Sequence, residues 1–458
     1  MSFRRSLIVL SILAFLVFTA NAGKLSLLSL DDCFYARKGV EMARSGRFLT
    51  VTWNYKATFQ NPPLQFWIIG QSFRLFGEND FAARLPSIFM GLGILFLTFK
   101  IAKLLTTPQV GLTAVSMLLI TPHFLSNARR CMLEIPLTFW TCFAILLFLK
   151  GQTRLKLNAL LALPIGAALL TKSLLGLLPL FIFGTAAIFS QDFRKNLIST
   201  WFWIGIAGGI LIGSTWPIHE YLRFGSEALR EHYFGEILSR SVTRISIIKL
   251  ILGYPEILLT VFLPVTLLAI PGIIKMIRAP RSSSQLILVA IWTLLPVILY
   301  SFSTARSSRY IFPILPALAI AGAYWIESTF PKIASVANKT VIPAILIVIA
   351  AIFWISPETL LKDENKLLKA NHQLVRNTIP ETKPAPYVGT QYWSVANPLM
   401  YYAERQLAAP AQAADAVHQA KNINGLIVLD ASKTSEVQTI VNVKPVFVGT
   451  KWLLVTVE

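Results

Sequence analysis

The sequence predicts a polytopic α-helical membrane protein of about eleven transmembrane helices, with surface helices on its outer face and a small C-terminal α/β domain. Three observations carry this. Apolar residues make up 55% and charged residues 14% of the 458, and mean hydropathy is +0.61, whereas a soluble domain uses roughly 25% charge. Apolar runs close to the ~20 residues that a bilayer crossing needs recur along most of the chain. Beyond about residue 356 the composition returns to ordinary soluble patterning. Disordered, collagenous and coiled-coil classes fall away, because the chain has neither high charge, nor a Gly-X-Y period, nor heptads.

The apolar runs lie at roughly 6–22, 84–104, 109–127, 132–149, 157–172, 173–190, 198–218, 254–276, 285–303, 309–326 and 341–356. With Met1 cytoplasmic beside Arg4 and Arg5, the inner loops carry Lys100/Lys103, Lys150/Arg154/Lys156, Arg194/Lys195, Lys275/Arg278/Arg281 and Lys332/Lys339. Every inner loop is then basic, as the positive-inside tendency requires. The first run, ending in Ala20-Asn21-Ala22, also has the layout of a cleavable signal peptide. On either reading residue 23 emerges on the outer face, and an odd number of spans places the tail there too. The chain divides into a membrane domain over 1–356 and an outer-face domain over 357–458. In the latter, Gly425–Asp430, Val446–Gly449 and Trp452–Val457 read as short strands and an Ala-rich stretch near 403–421 as helix.

Two outer segments are long, 23–83 and about 219–252. In the first, Tyr35, Gly39, Met42, Ala43 and Gly46 recur at helical spacing opposite Arg37, Lys38 and Arg44, which suits a helix lying on the membrane surface. A second such helix is expected over 64–76, entered through the rigid turn of Asn61-Pro62-Pro63.

A formal charge of +20 points to the cytoplasmic loops and to anionic lipid or phosphate. Nucleic acid is disfavoured, since no patch outside the spans interleaves aromatics with Lys and Arg. Cys33, Cys131 and Cys142 form no metal or disulfide framework, and the five histidines include no pair at ligand spacing. P-loop, GxGxxG, GxSxG and CxxC motifs are absent.

The chemistry-bearing candidates gather at outer boundaries. Asp31 and Asp32 follow the first run, where a carboxylate pair is costly to desolvate and points to function; an exposed turn or helix N-cap is the plainer reading. Glu134 opens the fourth run, in Arg129-Arg130-Cys131-Met132-Leu133-Glu134, and as a first-turn carboxylate it would also suit the helix dipole. Around them on the same face are Lys56, Arg74, Arg84, Arg129, Arg130, Lys172, Arg223, Arg240, Arg244, Arg306 and Arg309. Cations on the outer side run against the positive-inside tendency, and arginine matches phosphate oxygens bidentately, so phosphate binding is the sharper reading and scattered surface charge the plainer one. Arg309-Tyr310, before Pro313 and Pro316, sets a cation and a phenol at another outer boundary, where both are also common as interfacial anchors.

In order along the chain, Asp31-Asp32-Cys33-Phe34-Tyr35-Ala36, Asn61-Pro62-Pro63-Leu64-Gln65-Phe66-Trp67 and Phe76-Gly77-Glu78-Asn79-Asp80-Phe81-Ala82-Ala83-Arg84-Leu85-Pro86 resemble the GT-C type glycosyltransferases that use polyprenyl-phosphate sugars. The closest group is the bacterial protein-mannosyltransferase-like family that includes the aminoarabinose transferases acting on lipid A. Met132-Leu133-Glu134-Ile135-Pro136-Leu137, Thr171-Lys172-Ser173 with Gly176 and Pro179, and Arg309-Tyr310 with Pro313 and Pro316 extend the resemblance over about residues 5–326. It implies a catalytic acidic pair at Asp31 and Asp32, with Asp31 as base, and a second acidic position at Glu134. It also implies donor-phosphate contacts among Lys56, Asn61, Arg84, Arg129, Lys172, Arg309 and Tyr310. The family usually has a cation where this chain has Asn61, and often Asp where it has Glu134, so either Lys56 or an arginine grips the phosphate instead or the donor preference differs.

The resemblance implies a transferase moving a sugar from a polyprenyl (undecaprenyl) phosphate to a hydroxyl or phosphate of lipid A, a protein or a glycan, at the outer face of the bacterial inner membrane, with inversion. A phosphate leaving group needs cations rather than a strong general acid, and the acceptor hydroxyl needs a base on the opposite face of the sugar. No cofactor is required; a divalent cation bridging Asp32 and phosphate is compatible with the residues. Cys33 and Cys131, beside the acids on an oxidising face, could pair as a disulfide. A transporter or flippase of a lipid-linked or anionic solute is the alternative, but that class usually carries internal repeats and mid-span charges.

Overall fold

A computed structural model describes residues 3–238, 247–279, 285–303, 306–356 and 363–457. Arg240, Arg244 and Arg281 therefore lie outside the described residues. The chain opens with α1 (Phe3–Thr19), followed by α2 (Asp31–Ser45), a hairpin of β1 (Thr52–Trp53) and β2 (Lys56–Ala57), and α3 (Leu64–Phe76). The bundle continues as α4 (Asp80–Leu105), α5 (Pro108–Leu119), α6 (Pro122–Ala128), α7 (Glu134–Gly151), α8 (Ala162–Lys172), α9 (Leu178–Phe189), α10 (Gln191–Ile198) and α11 (Thr200–Phe224). After α12 (Ser226–Arg230) come α13 (Ile247–Thr260), α14 (Val265–Ile277), α15 (Ile287–Ser301), α16 (Ser308–Ile311), α17 (Leu315–Thr329), α18 (Pro331–Val336) and α19 (Ile342–Ile355).

Among the described residues, six helical stretches are long and apolar enough to cross a bilayer, or up to eight if each sharply bent pair is one span, against eleven expected. The differences have local causes. The run 109–127 breaks before Pro122 into α5 and α6, bent by 75°, and the run 254–276 is bent by 116° between Thr260 and Val265. The runs 157–172 and 173–190 join in one stretch, Leu155–Phe189, while α1 and α15 are apolar but shorter than a full span. Phe89, Phe96, Leu211 and Ile347 are exposed, as lipid-facing side chains must be, since such apolar area is rarely left to water.

Lipid offers no hydrophobic drive for helix association, so the bundle relies on close backbone approach and internal hydrogen bonds. Gly205, Gly209 and Gly213 of α11 lie one turn apart, the last two against α8 and Gly205 against the turn that precedes it, where a Cβ would sit 2.1 Å from the Asn158 carbonyl oxygen. Buried Asn196 donates to the Phe148 carbonyl at 2.7 Å and accepts from Asn158 at 3.2 Å.

Helices form over both stretches expected to be surface helices, as α2 and α3, but the charged face of the first is not exposed. In α2, Arg37, Lys38 and Glu41 are buried, with Arg37 and Glu41 paired at 2.9 Å. The helix is covered on one side by α3, where Gly39 leaves room for Ile69, and on the other by the tail, through Phe34 against Trp393.

The tail forms a five-stranded sheet with helices on it. After α20 (Lys366–Ala370) and α21 (His372–Thr378), the elements are β3 (Ala385–Val388), α22 (Tyr392–Pro398), β4 (Leu407–Pro410), α23 (Ala413–Ala420), β5 (Leu426–Asp430), α24 (Thr434–Gln438), β6 (Val443–Val448) and β7 (Trp452–Val457). Strand order is β4-β3-β5-β7-β6, parallel across β4, β3 and β5 and antiparallel from β5 to β7 and β6. Within the stretch expected to be helical, Leu407–Pro410 is an edge strand, and the helix is confined to Ala413–Ala420. The domain grips the outer segment: Asn365 donates to the Leu27 carbonyl at 2.8 Å, the Tyr402 hydroxyl takes the Leu27 N–H at 2.7 Å, and Lys369 pairs with Asp80 at 2.6 Å.

Candidate active site

Asp31 stands at the start of α2, immediately after Leu30, whose φ of +68° is rare for a residue with a branched side chain. Asn397 of α22 fixes that turn by donating to the Leu30 carbonyl at 3.0 Å. Backbone held in a sparsely populated region is commonest where a side chain must be aimed, and here it aims Asp31 at Arg309 of α16. The two are joined by an ion pair, and their side chains are 24% and 41% exposed.

Glu134 and Lys172 form a second pair close by, at 2.9 Å and almost fully buried. Glu134 is the first residue of α7, and Lys172 is the last of α8, where the chain breaks at Ser173 with φ +50°. The break folds the chain back so tightly that a Cβ on Gly176 would lie 2.4 Å from the Ala168 carbonyl carbon, which only glycine permits. Tyr35 is buried between the two pairs: burial pushes its hydroxyl pKa well up, reinforced by the Asp31 and then the Glu134 carboxylates.

Two cavities meet here. One, of about 300 Å³, has Lys172, Tyr310, Asn61 and His232 at its polar end and Leu174, Leu178, Phe181 and Leu299 along its wall. The other, of about 350 Å³, holds Asp31 and Arg309, and Gln60 lines both. His232 spans from the Phe59 carbonyl, 2.6 Å from Nδ1, to the Ser173 hydroxyl, 2.9 Å from Nε2. A carbonyl only accepts, so Nδ1 carries the proton and Nε2 accepts from Ser173. Burial lowers the His232 pKa, in keeping with a neutral ring.

Asp32 faces elsewhere. Completely buried, it accepts from Arg130 Nε at 3.3 Å and lines a separate cavity of about 200 Å³ with Arg84, Arg129 and Arg130. Burial raises its pKa, the positive charges of Arg130 and Arg84 opposing. Consecutive helix residues point about 100° apart, so the expected acidic pair is parted. Arg84 and Arg129 are likewise not with Lys172. Their guanidiniums are buried on main-chain carbonyls, Arg84 on Ala22, Leu25 (2.8 Å) and Ser26 (2.7 Å), Arg129 on Val17 and Ala20, so they hold α1 and the segment after it in place. Lys56 is exposed on the hairpin and lines neither of the two meeting cavities.

At Asn61 the nearby cation comes from α2. Lys38, fully buried beneath the Phe34 and Phe66 rings (3.9 and 5.1 Å to the centroids), donates to Asn61 Oδ1 at 3.2 Å. Sequence placed Lys38 on a solvated face, and only its position one turn after Phe34 hinted at burial. Nothing local marked His232, whose partners are 59 and 173 residues away. Cys33, Cys131 and Cys142 are free thiols, so the disulfide considered for the first two is not formed. Among the described residues no three His, Cys, Asp or Glu side chains converge as a metal site would need.

Fold and site together define a multi-pass membrane protein with an apolar-walled cavity that has Lys172 in its lining and a carboxylate, Asp31, in the cavity beside it. The family model for dolichyl-phosphate-mannose-protein mannosyltransferases matches residues 60–219. An undecaprenyl phosphate-alpha-4-amino-4-deoxy-L-arabinose arabinosyl transferase of Shewanella sediminis is 26% identical over 366 residues, 76% of this chain and 65% of that protein. An uncharacterized Aquifex aeolicus protein is 25% identical over 316 residues, 67% of this chain and 61% of its own length. The chain thus spans less than two thirds of these two relatives. The crystal structure of ArnT from Cupriavidus metallidurans bound to undecaprenyl phosphate superposes with a TM-score of 0.80 at 17% identity, covering 98% of this chain and 97% of that one. An archaeal oligosaccharyltransferase, AglB from Archaeoglobus fulgidus, reaches 0.62 at 14% identity over 94% and 70%. Over residues 60–219 the chain is thus similar to the dolichyl-phosphate-mannose-protein mannosyltransferase family, and its fold is that of ArnT.

Proposed function

We propose that this chain transfers a sugar from a polyprenyl phosphate to an acceptor at the outer face of the inner membrane, inverting the anomeric carbon. The observation that carries the reading is the meeting of the two cavities. The Asp31 carboxylate lies in one, and Lys172 with Tyr310 lies at the polar end of an apolar-walled other. In this reading the prenyl chain lies along Leu174, Leu178 and Phe181, its phosphate meets Lys172, Tyr310 and the Asn61 amide, and the anomeric carbon faces Asp31. Residues 1–356 act as the transmembrane transferase domain, and 357–458 as an outer-face domain that closes over the acceptor side.

The chemistry is a single in-line displacement. Asp31 takes the proton of the acceptor hydroxyl as its oxygen bonds to the anomeric carbon. The bond from that carbon to the phosphate oxygen breaks, and the phosphate leaves with the electron pair, its growing charge met by Lys172. Glu134 keeps Lys172 in place. No step needs a cofactor, because phosphate is already a competent leaving group once cations face it.

The test is release of free polyprenyl phosphate from a panel of undecaprenyl-phosphate sugars by purified protein with a membrane lipid extract. Asp31→Asn should reduce release by roughly 10²–10⁴-fold, the usual worth of a positioned base, and the product should be inverted. Unchanged release in that variant, or a retained configuration, would overturn the mechanism. Movement of the lipid-linked solute without release would favour a flippase.

A further inference from the structure

The cavity that holds Asp31 has a wall that the donor does not need. Across from Asp31 and Arg309, α22 contributes Trp393 and Asn397, and α2 contributes Phe34. Trp393 is 47% exposed although it belongs to an aromatic stack. Its ring centroid lies 5.2 Å from Trp53, 5.1 Å from Tyr392 and 6.4 Å from Phe34. A large indole braced on three sides and left half open to a cavity is a platform for a ligand, because the same stack could have been closed by a smaller side chain. Asn397 adds a polar signal. Its amide nitrogen is committed to the Leu30 carbonyl, which leaves Oδ1 buried at the cavity wall with no donor, an arrangement that costs stability unless a ligand or water supplies one.

Charge decides the class of ligand. Among the described residues Arg309 is the one cation lining the cavity, and Asp31 already neutralises it. A phosphate here would be desolvated beside a carboxylate without a cation of its own, which is unfavourable. A neutral ring with hydroxyls fits: its C–H face lies against the electron-rich indole face, and its hydroxyls meet Gln60, Asn397 and Asp31. We propose that the Trp393 cavity is the acceptor site, and that it takes an uncharged carbohydrate ring through a hydroxyl group. This rests on Asp31 being the base; it names the acceptor among the hydroxyl and phosphate groups that the transferase reading leaves open.

The experiment uses the full chain in lipid nanodiscs, probed with an array of neutral oligosaccharides and their phosphorylated counterparts, with free undecaprenyl phosphate titrated in parallel. Neutral glycans should bind, Trp393→Ala should weaken them roughly tenfold, the upper worth of one aromatic contact, and Trp393→Phe should recover most of the loss. Undecaprenyl phosphate affinity should be the same in all three proteins, which also reports that each is folded. The proposal is overturned if only phosphorylated glycans bind and inorganic phosphate displaces them, if Trp393→Ala binds like the parent, or if no neutral glycan binds. Failure of the transferase reading shows separately, as no release of polyprenyl phosphate from any donor.

Discussion

Lys172 has two partners in this reading, Glu134 in the resting protein and the donor phosphate in turnover, and substitution can separate them. Lys172→Met removes the ammonium 2.9 Å from Glu134 and leaves that carboxylate, 3% exposed and with Oε2 already unpartnered, with the more distant Arg309 guanidinium as its remaining counter-charge. Breaking a buried pair from one side costs about 3–5 kcal/mol. Lys172 is 13% exposed and faces a cavity that can admit water, so the lower end, about 3 kcal/mol, applies, and the apparent Tm should fall by roughly 3–4 °C for a chain of this length. Adding Glu134→Gln removes the orphaned charge and should restore most of the stability. Undecaprenyl phosphate affinity should behave differently: a charge-assisted hydrogen bond to phosphate is worth about 1.5–3 kcal/mol, so both the single and the double variant should bind roughly 10–100-fold more weakly. Thermal unfolding and lipid binding on the same samples give both numbers. If the double variant recovers lipid affinity along with stability, Lys172 serves only to neutralise Glu134, and the placement of the phosphate is refuted.

Asp32→Asn is expected to leave polyprenyl phosphate release within several-fold of the parent, in contrast to Asp31→Asn. It should also leave the melting temperature unchanged or higher: a carboxyl pKa raised by burial means that the ionised form costs stability above that pKa, a cost relieved as pH falls through it. Loss of release in Asp32→Asn would restore the acidic pair as a joint catalytic unit. On the tail, Arg44 and Arg376 hold the Glu404 carboxyl below its usual range, chiefly through the hydrogen bond from Arg44. Because the folded pKa is the lower one, this pairing stabilises fully above the unfolded pKa of about 4.3 and is lost as pH falls through the folded value. Glu404→Gln should therefore melt earlier at pH 7, by roughly 1 kcal/mol for partly exposed partners, and match the parent once both are acidified below that window; an equal deficit at every pH would point to packing instead.

Membrane class could be read from the sequence, because hydropathy is a property of composition and order. So could the existence of helices over 31–45 and 64–76, since their apolar spacing is local. The eleven-span count is not confirmed among the described residues, where local apolar runs meet backbone breaks: one run bends before Pro122, and another between α13 and α14. Strands Ala385–Val388 and Leu407–Pro410 were invisible because four residues, two of them alanine in the second, carry too little pattern to outweigh an Ala-rich neighbourhood.

The site itself was half legible, and the missing half has a common cause. Asp31, Glu134, Lys172, Arg309 and Tyr310 were named because each stands at a boundary where charge is costly. Sequence could not supply which cation meets which acid, since Asp31 and Arg309 are 278 residues apart. Arg84 and Arg129 show the consequence. Both look like phosphate ligands by position, yet a chain leaving the bilayer exposes carbonyls that need donors at the same depth. Five-donor guanidiniums satisfy that need where a bare boundary would not. An arginine at an outer boundary thus answers either a phosphate or the protein's own unpaired backbone, and only its neighbours decide. In this chain the carbonyls of residues 17–26 take two arginines, which leaves Lys172, in the lining of the apolar-walled cavity, as the cation for the proposed phosphate contact.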